Sequence, residues 1–263
     1  MIKLIASDLD GTLLRHGAQA LEPGVCDLIH KLTDMGIIFV AASGRQYPNL
    51  SRLFAPVKDE IAFICENGCM AFYKDQMIYK EKMEEDIARQ LIRDIWAEDT
   101  AEVLVSGEDT SYIQAKDPAY LIHLRDVVKN NVTPVNDILE KQEEYFKISL
   151  YEKDGLDSVI DKWQERYADL LKVVVSGFEW LDFMPKGVHK GIGMAHLQQY
   201  FGIFPEECMA FGDNYNDIEM LDSVKYNFVM DTAPDEIKKT TQYITHTVEE
   251  VLEKIIESEN TLF

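Results

Sequence analysis

The sequence predicts an α/β protein: a doubly wound, mainly parallel sheet with an α+β module inserted into it. Three observations carry this prediction. Strand-like and helix-like segments alternate over the first eighty residues. The strand segments are near-continuous apolar runs, as strands covered on both faces are. The alternation then changes character in the middle of the chain and resumes toward its end, so a core interrupted by an insertion is the simplest organisation.

"MIKLIASD" is the first strand, and "PGVCDLIHKLTDMG" then sets Val25, Leu28, Ile29 and Leu32 at helical spacing, between Pro23 and a stop at Gly36. "IIFVAAS" is the second strand, "YPNLSRLF" a short helix, and "IAFICENG" a third strand closing on a turn. "MAFYKDQMIYK" reads as a hairpin. In a sheet of this βαβαβ order, chemistry belongs at the carboxyl ends of the strands. The middle reads helix "EEDIARQLIRDIWAED", strands "EVLVSG" and "SYIQA", helix "PAYLIHLRDVVKNN", strand "YFKISLYE", helix "LDSVIDKWQERYA" and paired strands "LKVVVSG" and "FEWLDFM". From "KGVHKGIGMAHLQQYFGI" onward come a helix, strand "CMAFGD", helix "NDIEMLDSV", strand "NFVM" and two helices, "PDEIKKTT" and "VEEVLEKIIES". The expected division is a core of residues 1–81 and 186–263 around an insertion of 82–185.

Composition narrows the class. Of 263 residues, 46% are hydrophobic, enough to bury a core, and the longest apolar runs fall well short of a membrane helix. Met1 leads directly into a strand, so a cytoplasmic protein without a secretory signal is expected. The four cysteines, Cys26, Cys65, Cys69 and Cys208, lack paired spacing and sit in apolar segments, where buried reduced thiols are expected. Lysine and arginine total 26 against 47 acids, a net charge of −21, which argues against nucleic acid or an anionic membrane as partner. An anionic substrate would therefore need a local cationic spot.

The first strand ends in "SDLDGT". If Asp8 and Asp10 continue the strand, the period of two puts both carboxylates on one face, where a shared proton, a cation or a divalent metal must relieve their repulsion. Oxygen donors favour magnesium or calcium over zinc. The same pattern alone is also a common strand-ending turn. "AFGDNYNDIEM" repeats the arrangement, adding Asp213, Asn216 and Asp217, although "DNYND" by itself is equally a helix N-cap cluster. Two such ends in one parallel sheet would converge on a hard-cation site. "AASGR" offers the Ser43 hydroxyl and the Gly44 N–H for a phosphate oxygen. "HKG" places Lys190 just before a helix, where it could supply the missing cation.

Taken in order, Asp8-Leu9-Asp10-Gly11-Thr12, Ser43-Gly44-Arg45, Lys190-Gly191 and Gly212-Asp213 with Asn216-Asp217 resemble the four motifs of the haloacid-dehalogenase-like hydrolases. The insertion resembles the cap of the Cof-type, class IIB phosphatases, and "ENG" and "FVMDTAPDEIKKTTQYIT" are similar to that subfamily. The resemblance implies a Rossmann-like core and a cap that excludes water and selects the leaving group. It implies Asp8 as nucleophile, forming an aspartyl-phosphate, and Asp10 as general acid and then base. Leu9, Ser43, Gly44, Lys190 and Asn216 become the phosphate-binding set. Magnesium falls to Asp8, the Asp10 backbone carbonyl and Asp213, with Asp217 acting through water or by orienting Lys190.

Asp231-Thr232 departs from the subfamily's usual "MGNA", and His189 stands where a small residue is commoner. His123 and Arg125 are expected on a solvated helix face, and Trp96, Trp163 and Trp180 in packed segments. The expectation is a phosphatase of small phosphorylated metabolites, sugar phosphates first and nucleotide or cofactor phosphates next, acting as a monomer or weak homo-oligomer. A phosphomutase with the same core and a sugar-phosphate-binding sensor are the rivals.

Overall fold

Apolar runs with no polar alternation become strands that can be covered on both faces. In the computed structural model of the chain, which describes residues 1–262, β1 (Leu4–Asp8) is followed by α1 (Val25–Asp34), β2 (Ile38–Ala42), α2 (Tyr47–Leu53) and β3 (Ala62–Cys65). β4 (Met70–Tyr73) and β5 (Gln76–Lys80) form the expected hairpin, turning through Lys74 and Asp75 at φ 52° and 58°. The insertion then contributes α3 (Glu85–Trp96), β6 (Ala101–Ser106), β7 (Ser111–Ile113), α4 (Pro118–Ile122), β8 (Val132–Pro134), β9 (Lys147–Glu152), α5 (Ile160–Tyr167), β10 (Leu171–Val175) and β11 (Trp180–Pro185). The chain ends with α6 (Lys190–Phe201), β12 (Cys208–Gly212), α7 (Ile218–Asp222), β13 (Tyr226–Met230), α8 (Asp235–Lys238), β14 (Tyr243–Thr245) and α9 (Val248–Glu257).

The structure forms two units, one of Met1–Lys80 with the chain from His189 onward, the other of Glu81–Val188. The first holds an eight-stranded sheet in the order β14-β13-β12-β1-β2-β3-β4-β5, parallel from β14 to β3 and antiparallel beyond. Sequence order runs outward in opposite directions from the β1/β12 pair, so right-handed crossovers put helices on both faces. α6 and α7 cover one face, with Met194, Leu197, Met220 and Leu221 packed on Leu4, Ala6, Val40, Ala42 and Ala210. The alternate strand residues Ile5, Phe39, Phe63 and Phe211 are fully buried on the other, each worth roughly 1.5–3 kcal/mol.

The second unit holds a six-stranded sheet, β10-β11-β9-β6-β7-β8, antiparallel except for β7 and β8. Leu91, Ile95, Trp163 and Tyr167 of α3 and α5 pack with Val103, Val105, Ile148 and Phe183 on one face. Tyr120 and Leu124 pack on Leu104 and Ile113, which point the opposite way.

Three local expectations change. The helix expected over 118–131 stops as α4 at Ile122 and continues as a π-helical turn, His123–Val127, closed by Val128 N–H donating to the His123 carbonyl at 3.0 Å. The helix expected from Asn216 opens as a 3₁₀ turn, Tyr215–Asp217. β8 and β14 were not expected as strands; both are three-residue edge strands, too short to show a period. Trp163 is buried as expected, while Trp96 and Trp180 are half-buried and pack against the two apolar clusters of their unit. Arg125 is exposed and paired with Asp126 at 3.0 Å. Cys65, Cys69 and Cys208 are buried free thiols and Cys26 is half-buried. Among the described residues, no helix is long and apolar enough to cross a membrane.

Candidate active site

Because β1, β2 and β12 are parallel neighbours, the residues at their carboxyl ends come out at one edge of the sheet. β1 ends in Asp8, Ser43 follows β2, and Asp213 follows β12. α6 begins at Lys190, whose side chain has no solvent exposure. A lysine at a helix N-terminus opposes the helix dipole, and a buried ammonium is costly unless paired, so its partners must account for it. They are Asp8, whose Oδ1 accepts from Nζ, and Asp217, whose Oδ1 accepts at 2.6 Å. The other Asp217 oxygen accepts from the Asp213 and Asn214 backbone N–H groups at 3.0 and 3.1 Å. One carboxylate therefore shapes the loop after β12 and holds the lysine at the same time.

Carboxylate oxygens of Asp8, Asp213 and Asp217 lie within 4.8 Å of one another. Burial, and next the charge of Asp217, push the Asp8 carboxyl well above the ordinary aspartate value of 3.8, with Lys190 opposing. Burial and Asp217 also push Asp213 up, opposed by the Thr12 hydroxyl, which donates to Asp213 at 3.2 Å. Burial alone would pull the Lys190 ammonium down, but Asp217 and Asp8 outweigh it and hold it above the ordinary lysine value. Three acids face one buried base. The donor set fits a hard divalent cation, which would relieve the repulsion that adds to burial in raising both aspartates. Gly11 shows how tightly the loop is drawn in: it sits at φ 97°, and a Cβ there would lie 2.1 Å from Asp213 Oδ2.

Asp10 is elsewhere, which corrects the expectation that Asp8 and Asp10 share a face. The strand ends at Asp8 and the chain turns at Leu9, so the period of two does not reach Asp10. Its side chain is 56% exposed and is held by Arg45, Nε at 3.0 Å from Oδ2 and Nη2 at 2.5 Å from Oδ1. The crowding inferred for Asp8 and Asp10 belongs instead to Asp8, Asp213 and Asp217. The Leu9 side chain is fully buried and its carbonyl accepts from the N–H groups of Thr12 and Leu14, at 3.1 and 2.7 Å. Leu9 is thus limited to backbone contacts.

Ser43 is buried, and its Oγ accepts from Arg45 N–H at 3.2 Å. Asn216 donates through Nδ2 to Asn67 Oδ1 at 3.2 Å. Arg45 and Asn67 lie in "AASGR" and "ENG", and the sequence alone implies no role for either. Both carry a usable signal: Arg45 is the charged residue after Ser-Gly, and Asn67-Gly68 is a left-handed turn signal at a strand end. Of the departures, Asp231 pairs with His246 at 2.8 Å, and His189 forms the N-cap position of α6.

An acidic cluster braced by one buried lysine, at the carboxyl edge of a parallel sheet, defines the class as an α/β protein whose site suits a divalent cation and an anionic ligand. The sequence profile of the haloacid dehalogenase-like hydrolases matches residues 5–255, and the chain belongs to that family. It is 28% identical to a 5-amino-6-(5-phospho-D-ribitylamino)uracil phosphatase of Escherichia coli, over 92% of this chain and 90% of the relative. A solved structure from Eubacterium rectale superposes with a TM-score of 0.84 at 28% identity, covering 98% of each chain. The fold is also that of a subclass IIB sugar phosphatase, with a TM-score of 0.78 at 20% identity over 97% of this chain and 98% of that one.

Proposed function

We propose that the protein is a magnesium-dependent phosphatase that hydrolyses phosphate monoesters of small metabolites through an aspartyl-phosphate on Asp8. The observation that supports this best is the Asp8–Lys190–Asp217 arrangement beside Asp213. Asp8 is a buried carboxylate, 4% exposed, and it accepts from the ammonium of Lys190, which has no solvent exposure.

In the first step a carboxylate oxygen of Asp8 forms a bond to phosphorus as the bond to the leaving oxygen breaks, and Asp10 gives that oxygen its proton. In the second, Asp10 takes a proton from water, the water oxygen attacks phosphorus, and phosphate leaves as the Asp8 carboxylate is restored. Asp10 must exchange Arg45 for the leaving group to do this, and its exposed position allows proton exchange with solvent. Lys190, Ser43, the Leu9 and Gly44 backbones and Asn216 bind the phosphoryl oxygens. Asp217 holds Lys190 in place. Asp8, Asp213 and the Asp10 carbonyl would hold the metal, which supplies positive charge to offset carboxylate–phosphate repulsion.

The unit Glu81–Val188 is assigned the choice of leaving group. Sugar phosphates are the first class to test, with nucleotide and cofactor phosphates next. The E. coli relative's substrate, a phosphate on a polyhydroxylated chain, is of the same chemical kind. A panel of phosphate esters with and without magnesium tests the proposal. Wild type should release phosphate only with the metal, and Asp8→Asn should release none while keeping its fold. Undiminished turnover by Asp8→Asn would reject the mechanism.

A further inference from the structure

The turn "ENG" after β3 has a conformation that local sequence preference explains at Asn67 and Gly68 but not at Glu66. Glu66, Asn67 and Gly68 occupy the left-handed region in succession, at φ 50°, 55° and 105°. A non-glycine residue there costs roughly 1 kcal/mol or more, so two in a row persist only where the surroundings enforce them. The surroundings here are the loop after β2. Ser43 N–H donates to the Ile64 carbonyl at 2.9 Å, Glu66 N–H to the Arg45 carbonyl at 3.1 Å, and Asn67 N–H to the Ser43 carbonyl at 3.0 Å. The left-handed turn aims successive N–H groups back at the neighbouring loop.

The Asn67 side chain continues the link in two directions. Its Oδ1 accepts from Asn216, which stands on the loop after β12. Its carboxamide also lies flat against Gly44, where a Cβ would meet Asn67 Nδ2 at 3.0 Å and Oδ1 at 3.1 Å. Gly44 is therefore needed for close approach. Asn67 is 8% exposed, so these contacts are not loosened by water.

We infer that Asn67 is a positioning residue that ties the Ser43–Gly44 loop to Asn216, so that phosphoryl-oxygen donors from two separate strand ends are held as one set. The inference rests on the proposed phosphatase function, in which those donors bind phosphate. The parallel sheet brings β2 and β12 to the same edge but leaves β1 between them. Asn67 supplies a cross-connection between their loops from β3.

Asn67→Gly is the informative variant, because glycine takes φ near 55° freely and only the carboxamide is lost. Loss of one such positioning hydrogen bond should raise KM, and the inhibition constant of inorganic phosphate, by about tenfold. The kcat should change less than about threefold, since binding shared by ground and transition states is what is removed. Combining Asn67→Gly with Asn216→Ala should give no further loss beyond the poorer single variant, because both cut the same link. Unchanged KM and phosphate inhibition in Asn67→Gly, or full additivity with Asn216→Ala, would overturn the inference. Absence of turnover in wild type, or full turnover in Asp8→Asn, would instead remove the phosphatase reading itself.

Discussion

Asp8 and Asp10 are the same residue type two positions apart, yet the structure gives them opposite environments. Asp8 is 4% exposed and answers to Lys190, while the Asp10 side chain is 56% exposed and answers to Arg45. Burying charge is costly, so the first pair persists only because Lys190, Asp217 and the loop N–H groups complete one another. The second pair is partly open to solvent, Arg45 at 20% and Asp10 at 56% exposed, and is worth less to stability. The difference separates two jobs that one motif must perform: a desolvated nucleophile and an acid with access to protons.

The comparison can be broken most severely at Lys190. Lys190→Met should cost about 3–5 kcal/mol in urea unfolding, because it leaves buried carboxylates without their cation, and should remove phosphatase turnover. The comparison is sharpened by pH and metal. A raised folded-state value for Asp8 means that its neutral form favours the fold; this contribution is complete below the ordinary 3.8 and is lost as pH rises through the raised value. In chelator, stability should therefore decline as pH climbs from acid toward neutral, and the decline should be shallower in Asp8→Asn. Magnesium at about 100 times its Kd should add ~2.7 kcal/mol at neutral pH in wild type and far less in Asp8→Asn. The smallest stability effect is at the exposed pair. Asp10→Asn should shift unfolding by less than about 1 kcal/mol, while lowering turnover about 10²-fold or more as general acid–base catalysis is lost. A large stability loss in Asp10→Asn would erase the distinction between the two aspartates.

Most of the sheet was legible because buried parallel strands are long apolar runs with turn residues at their ends. β1, β2, β3 and β12 all announce themselves this way, and topology then forces Asp8, Ser43 and Asp213 to one edge. The short edge strands β8 and β14 carry no such signal: three residues cannot show a period, and their pairing depends on a neighbour already in place. Asp10 was misplaced for a related reason. Alternation holds only while the chain stays extended, and carrying the period of two on to Asp10 took it past the end of "MIKLIASD" into a strand-ending turn. Asn67 lies in the turn "ENG", but its contacts cross to loops that are distant in sequence.

Asp8 and Lys190 are 182 residues apart in the chain. At a synthesis rate of about 5–20 residues per second, the ribosome would make the aspartate roughly 10–35 seconds before its lysine. Once β2 has been made β1 can pair with it, but its other edge must wait for β12. The nascent chain thus carries an open central strand ending in an unneutralised acid, and the last third of translation closes both vacancies together. A protein organised this way should gain from slow release and from helpers that shield strand edges during synthesis.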